Sequence, residues 1–199
     1  MRIFAISDLH ADQRLANTAA REAARHGAGI VMIAGDLSAF GAEFTGIIEP
    51  FAALGVPLLI VGGNHDEYER IRALAERYGA IHLDGYGVVI EGIGFAGTRG
   101  LTIGRSRQSP HEIRESFLRA AHYARAERIV SMTHTHPTGT LMEHLSPFVR
   151  GSETIETLIR DVEPTVHICG HVHEGAGLVE RIKETNVINV ARRPTIIDL

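Results

Sequence analysis

The chain has 199 residues, enough for one domain spanning 1–199 with a sizeable core. Hydrophobic residues make up 44% and charged residues 22%, the balance of a globular protein. A formal net charge of −4, with no basic cluster longer than Arg192-Arg193, argues against a duplex nucleic-acid partner.

Residues 2–7 read as the first strand, because Ile3-Phe4-Ala5-Ile6 is an apolar run. The chain enters it at once, without a charged-then-apolar leader. No apolar run approaches ~18 residues, so secretion and membrane spanning are not expected. A helix from Asp12 to about His26 carries Leu15, Ala19, Ala20, Ala23 and Ala24 near helical spacing, and Gly27 and Gly29 stop it. Residues 29–34 form strand two, a helix follows over roughly 42–54, and strand three ends at Val61. The next helix begins at Asp66, where Asp66 and Glu69 have capping-box spacing.

Residues 80–83, 87–91 and 93–97 read as short strands, followed by a polar loop from Thr98 to Gln108. Ser109, Pro110 and Glu112 mark the start of a helix that runs to about Glu127. Strand 128–133 leads into a loop from Thr135 to Arg150. Ser152 caps a helix to Asp161, which Pro164 closes. Strand 165–169 contains the single cysteine, Cys169, which excludes an internal disulfide and fits a reducing, cytoplasmic location. Strands follow at 176–182, 186–190 and 195–198. The first half is thus βαβαβα, and the second mixes helices with antiparallel-looking strands. Two packed mixed β-sheets with helices outside, an α/β fold, satisfy both halves.

Five predicted strands end in oxygen or imidazole side chains: Asp8 and His10; Asp36; Asn64 and His65; His134 and His136; His171 and His173. Open α/β sheets place their chemistry at such ends. His171 and His173 alternate, so on a strand they share a face. Asp8, His10, Asp36, Asn64, His134, His171 and His173 form a nitrogen-and-oxygen donor set without thiolate. That suits Mn, Fe, Zn or Co better than a closed structural zinc site. Seven donors are too many for one ion with an open position and suit two divalent ions, with Asp36 the candidate bridge. Two such ions outweigh two carboxylates, so the site attracts phosphate. A water between them would be acidified toward a hydroxide nucleophile. His65, next to Asn64, is the candidate general acid.

Asp8-Leu9-His10, Gly35-Asp36, Gly63-Asn64-His65-Asp66, His134 and Gly170-His171-Val172-His173 resemble, in order, the five blocks of the calcineurin-like metallophosphoesterase superfamily. The match spans roughly residues 1–175, and five ordered blocks make it specific. The resemblance implies a four-layer α/β/β/α sandwich with a dinuclear centre. One ion would take Asp8, His10, Asp36 and His173; the other Asp36, Asn64, His134 and His171. His65 would be the leaving-group acid. Thr133-His134, Pro137, Gly139-Thr140, Gly151-Ser152 and Cys169-Gly170-His171-Val172-His173-Glu174-Gly175 are similar to the small Icc-related phosphoesterases. One departure is His136, where the fourth block usually has proline.

The expected activity is hydrolysis of a small organic or nucleotide phosphodiester. A phosphomonoesterase is the alternative, and a scaffold that keeps the fold without catalysis is a third reading. Arg99 and His136 are candidates for the substrate side, and a basic residue reaching the site would favour a monoester. A homodimer is compatible with the sequence.

Overall fold

The computed structural model describes residues 1–39, 45–104, 106–146 and 148–199. Strand β1 (Arg2–Ile6) sends alternate side chains to opposite faces. Ile3 and Ala5 enter one hydrophobic layer, Phe4 and Ile6 another. The split recurs in β2 (Ile30–Ala34) and β3 (Leu58–Val61). Met32, Ala34, Leu59 and Val61 join Ile3, whereas Val31, Ile33, Leu58 and Ile60 join Phe4.

A sheet apolar on both faces needs cover on both. On the Phe4 side the cover is α1 (Gln13–Arg25), α2 (Glu49–Ala52) and α3 (Tyr68–Tyr78), which contribute Ala16, Ala19, Phe51 and Ile71. On the Ile3 side it is a second sheet. Phe95 of β6 (Ile93–Gly97), Val130 and Met132 of β7 (Arg128–Met132), Ile168 of β8 (Val166–Cys169) and Ile188 of β10 (Thr185–Asn189) complete that core. The far face of the second sheet is covered by α4 (Pro110–Tyr123) and α6 (Glu153–Val162). Ile113, Phe117, Ile155 and Leu158 pack there with Cys169 and Val187. The result is the expected α/β/β/α sandwich.

The remaining elements are β4 (Ile81–His82), β5 (Tyr86–Ile90), α5 (Leu141–Leu145), a 3-10 turn at His173–Gly175, β9 (Val179–Ile182) and β11 (Thr195–Asp198). The sheets run β11-β1-β2-β3-β4 and β5-β6-β7-β8-β10-β9. β1 to β4 are parallel, and so are β6, β7, β8 and β10. β11 returns to the first sheet, antiparallel to β1. The two sheets meet at their strand ends: the amide of Ser7, after β1, donates to Val190 O, after β10, at 3.0 Å. Among the described residues, no helix is long and apolar enough to cross a membrane.

Several boundaries differ from expectation. The second-half strands are more parallel than the sequence suggested, because crossover helices α4 and α6 separate them. The helix expected at 42–54 covers only Glu49–Ala52 among the described residues, and positions 42–44 lie outside them. The loop 135–150 contains α5. The capping box of α4 is present as expected, with Ser109 and Glu112 bonding reciprocally. That of α3 is absent: the helix starts at Tyr68, and the Asp66 carboxylate is used elsewhere.

Candidate metal centre

Four strand ends after β1, β2, β3 and β7, and the turn after β8, deliver the predicted side chains to one place. Three groups have their donor atoms within 4.8 Å of one another: Asp8, His10 and His173; His10, Asp36 and His65; Asp36, His134 and His171. Asp36 belongs to two of them. Its Oδ2 lies 3.4 Å from His134 Nε2, 3.8 Å from His10 Nε2 and 3.7 Å from His65 Nε2. Asp8 Oδ1 is 3.1 Å from His173 Nε2.

The backbone is strained where these side chains sit. Asp8 (φ 58°), His10 (φ 45°), Asp36 (φ 50°) and His171 (φ 73°) all occupy the left-handed region. That conformation costs an L-residue about 1–2 kcal/mol each, so the surrounding structure must hold it. Three devices do so. Asp66, buried, accepts from the amides of Leu37 (3.1 Å), Ser38 (2.9 Å) and Gly63 (2.9 Å), tying the loop after β2 to the loop after β3. Asp8 Oδ2 accepts from Ser7 Oγ at 2.5 Å and from the His171 amide at 3.0 Å. Arg192 donates to Asp8 O at 3.3 Å and pairs with Asp12 at 3.0 Å. Gly63 is required for closeness rather than for turning. A Cβ there would stand 2.0 Å from Asp36 Oδ1.

Below the site lies a buried brace. His167 on β8 meets Ser131 Oγ at 2.8 Å through Nδ1 and Thr133 Oγ1 at 3.0 Å through Nε2. Thr133 Oγ1 donates to Thr135 O at 2.7 Å, so it accepts from His167 Nε2–H, and the turn carrying His134 is fixed.

The donor chemistry fits divalent cations. His134 Nδ1 donates to Ala34 O at 2.9 Å, which turns Nε2 toward Asn64 Oδ1 (2.9 Å) and Asp36 Oδ2. Two oxygen acceptors converging on an imidazole nitrogen need a proton or a metal ion between them. With no ion there, a proton on Nε2 would serve both acceptors. Burial disfavours the imidazolium of His134, but the charge and hydrogen bond of Asp36 outweigh it and raise the group to about 10. His171 goes the other way, down to about 3, through burial and then the charge of His134. Its Nε2 is buried and has no hydrogen-bond partner. An orphaned neutral imidazole nitrogen facing carboxylates is what a metal ligand looks like without its ion. For Asp8, burial pushes upward, yet the His173 hydrogen bond and the His134 charge leave it below the usual carboxylate range.

A cavity of about 620 Å³ opens over the cluster, lined by His10, Asp36, Asn64, His65, His171 and His173 together with Ile103, Phe148, Val149 and Glu174.

The calcineurin-like phosphoesterase family profile matches residues 1–175. The chain belongs to that family. It is a hydrolase of phosphate esters, and its His/Asp groups are able to hold the divalent ions that such phosphoesterases use. No curated protein is significantly similar to it in sequence. Its fold is that of several solved structures. A protein of Thermus thermophilus has a TM-score of 0.78 at 16% identity, with 96% of this chain and 90% of that one covered. A dimetal phosphatase from Danio rerio gives 0.63 at 14%, covering 95% and 86%. An archaeal phosphodiesterase gives 0.57 at 18%, covering 95% and 82%.

Two sequence candidates of this phosphoesterase lie away from the cavity. Arg99 Nε stands 2.5 Å from Asp84 Oδ2, as an ion contact rather than an aligned hydrogen bond, and its guanidinium lies 4.8 Å over the Tyr68 ring. It lines a separate cleft with Asp84, Glu112 and Arg119. The salt bridge, invisible in sequence, holds it in this cleft, and it is not among the described residues lining the cavity over the cluster. His136 is fully buried behind His171, with ring centroids 6.4 Å apart. Burial lowers it to about 4, and neither ring nitrogen has a partner. It packs against the site instead of facing substrate. His171 and His173 are placed by a turn and a 3-10 turn, not by strand alternation. Glu143 organises its loop, accepting from Thr138 Oγ1 (2.8 Å) and from the amides of Gly139 (2.8 Å) and Gly151 (3.1 Å). Sequence reasoning missed Ser7, Arg192 and the His167 brace, none of which carries a local signal.

Proposed function

We propose that this phosphoesterase is a phosphodiesterase for a small organic phosphodiester. Asp8, His10, Asp36 and His173 would hold one divalent transition-metal ion, and Asp36, Asn64, His134 and His171 a second. Mn, Fe, Zn or Co suits these donors. Ions held there supply Lewis acidity toward phosphoryl oxygens and acidify a water nucleophile.

The chain's own residues complete the chemistry. His65 lines the cavity and would donate a proton to the departing ester oxygen. Its amide donates to Asp36 Oδ1 at 2.9 Å, so the acid and the central carboxylate are held in one frame. Asp66 locks the loops that carry both.

The diester reading is carried by one observation: no lysine or arginine is among the described residues lining the cavity. A monoester dianion has an extra charged oxygen and calls for an extra cation, whereas a diester monoanion does not. The test is kcat/KM of Mn-reconstituted protein on bis(p-nitrophenyl) phosphate and on p-nitrophenyl phosphate. The diester should lead by at least about tenfold, or ~1.4 kcal/mol in transition-state binding. A lead for the monoester would instead make the enzyme a phosphomonoesterase.

A further inference from the structure

The cavity is not uniformly polar. Its floor is the histidine and aspartate cluster, but its outer wall comes from two apolar segments. Ile103 projects from the loop after β6, and Phe148 and Val149 follow α5. Ile103 is 47% exposed and Phe148 93%. A phenyl ring that open to water contributes nothing to folding, because its apolar surface is never removed from solvent. Both side chains line the same cavity as His10 and Asp36, so a molecule whose phosphate reaches the cluster has them within the space it occupies. The volume, about 620 Å³, matches a small organic ligand. Among the described residues lining the cavity Glu174 is the charged group outside the cluster, and its carboxylate disfavours a second anionic group beside it.

We infer that Ile103, Phe148 and Val149 form a subsite for an uncharged, apolar or aromatic ester arm of the substrate. The substrate class is then a phosphodiester with at least one aromatic or bulky apolar arm, not a polyanion. This rests on the phosphodiesterase reading for the word ester, but the subsite can be probed without turnover.

The experiment is calorimetric binding to the metal-replete protein of two phosphinate monoanions, methylphenylphosphinate and dimethylphosphinate. Both have two P–C bonds and cannot be hydrolysed. The phenyl compound should bind about tenfold tighter or more, as expected for removing one ring face from water. In the double variant Phe148→Ala with Ile103→Ser, two exposed changes that leave the core intact, the preference should shrink to within about threefold. Equal affinities in the wild type, or an undiminished preference in the variant, would overturn the subsite. So would a dimer that dissociates on Phe148→Ala while the phenyl preference persists, since Phe148 would then belong to an interface. Because no cleavage is involved, a phenyl preference in a protein inactive on every diester would sink the phosphodiesterase reading and leave the subsite standing.

Discussion

Asp36 and His134 face each other across the floor of the cavity, with Oδ2 3.4 Å from Nε2 and both side chains buried. A buried carboxylate beside a buried imidazolium is a stable arrangement only while each neutralises the other. A divalent ion in that space would displace the proton and leave one net positive charge more than the proton did.

If Asp36 bridges two ions, it cannot be replaced by either half of the site. Asp36→Ala should reduce bound metal to well under one ion per chain, and His10→Ala or His171→Ala should each leave about one. Elemental analysis after desalting measures this. Two retained ions in Asp36→Ala would remove Asp36 from the bridging role.

Metal uptake should also release a proton. His134 is raised to about 10 in the metal-free protein, mainly because the charge of Asp36 overcomes the burial penalty, and it must be neutral to bind metal. At pH 8, calorimetry in buffers of different ionisation enthalpy should report roughly one proton released per chain from this group. The shift is upward, so the ion pair stabilises the metal-free protein fully below the free imidazole value of ~6.5, and that stability is lost as pH rises through about 10. The melting temperature of chelator-treated protein should therefore fall from pH 7 to pH 10. No proton release and a flat profile would mean that His134 is already neutral.

The value of His65 depends on the leaving group. An alkoxide needs a proton and a nitrophenolate does not. His65→Asn should keep its metal and lose about 10²–10⁴-fold in kcat on an alkyl phosphodiester, with a clearly smaller loss on a nitrophenyl ester. Equal losses on both would assign His65 to phosphate positioning.

The His167 brace acts through His134. His167→Ala leaves Ser131 without its imidazole partner and opens a cavity, so chemical denaturation should show a loss of about 2–4 kcal/mol. Metal affinity should fall as well, and His167→Gln, which keeps a hydrogen-bonding group, should recover part of it. Unchanged metal affinity in His167→Ala would confine the brace to stability.

Much of the site was legible because its signals are local. Asp8, Asp36, Asn64 and His134 each stand within three residues of the end of an apolar strand, and parallel strands place their ends together. The uninterrupted apolar runs at residues 3–6 and 30–34 marked these strands, and the structure buries both of their faces. What stayed hidden depends on tertiary neighbours. Arg99 resembled a phosphate ligand until Asp84, fifteen residues away, was found against it. Asp66 had the spacing of a helix cap, but two amides of the loop after β2 and one of its own loop hold its carboxylate. His136 followed a strand end like its neighbours, yet the chain turns it inward, and Ser152 N bonds its carbonyl at 2.9 Å. The return of β11 to the first sheet likewise has no signal in its four residues.

The most direct test of a two-ion centre is an anomalous difference map from crystals of the full chain grown with Mn. Two peaks are expected, one within about 2.0–2.3 Å of Asp8, His10 and His173 donor atoms and one equally close to Asn64, His134 and His171, with Asp36 between them. A single peak, or none at saturating Mn, would contradict the account.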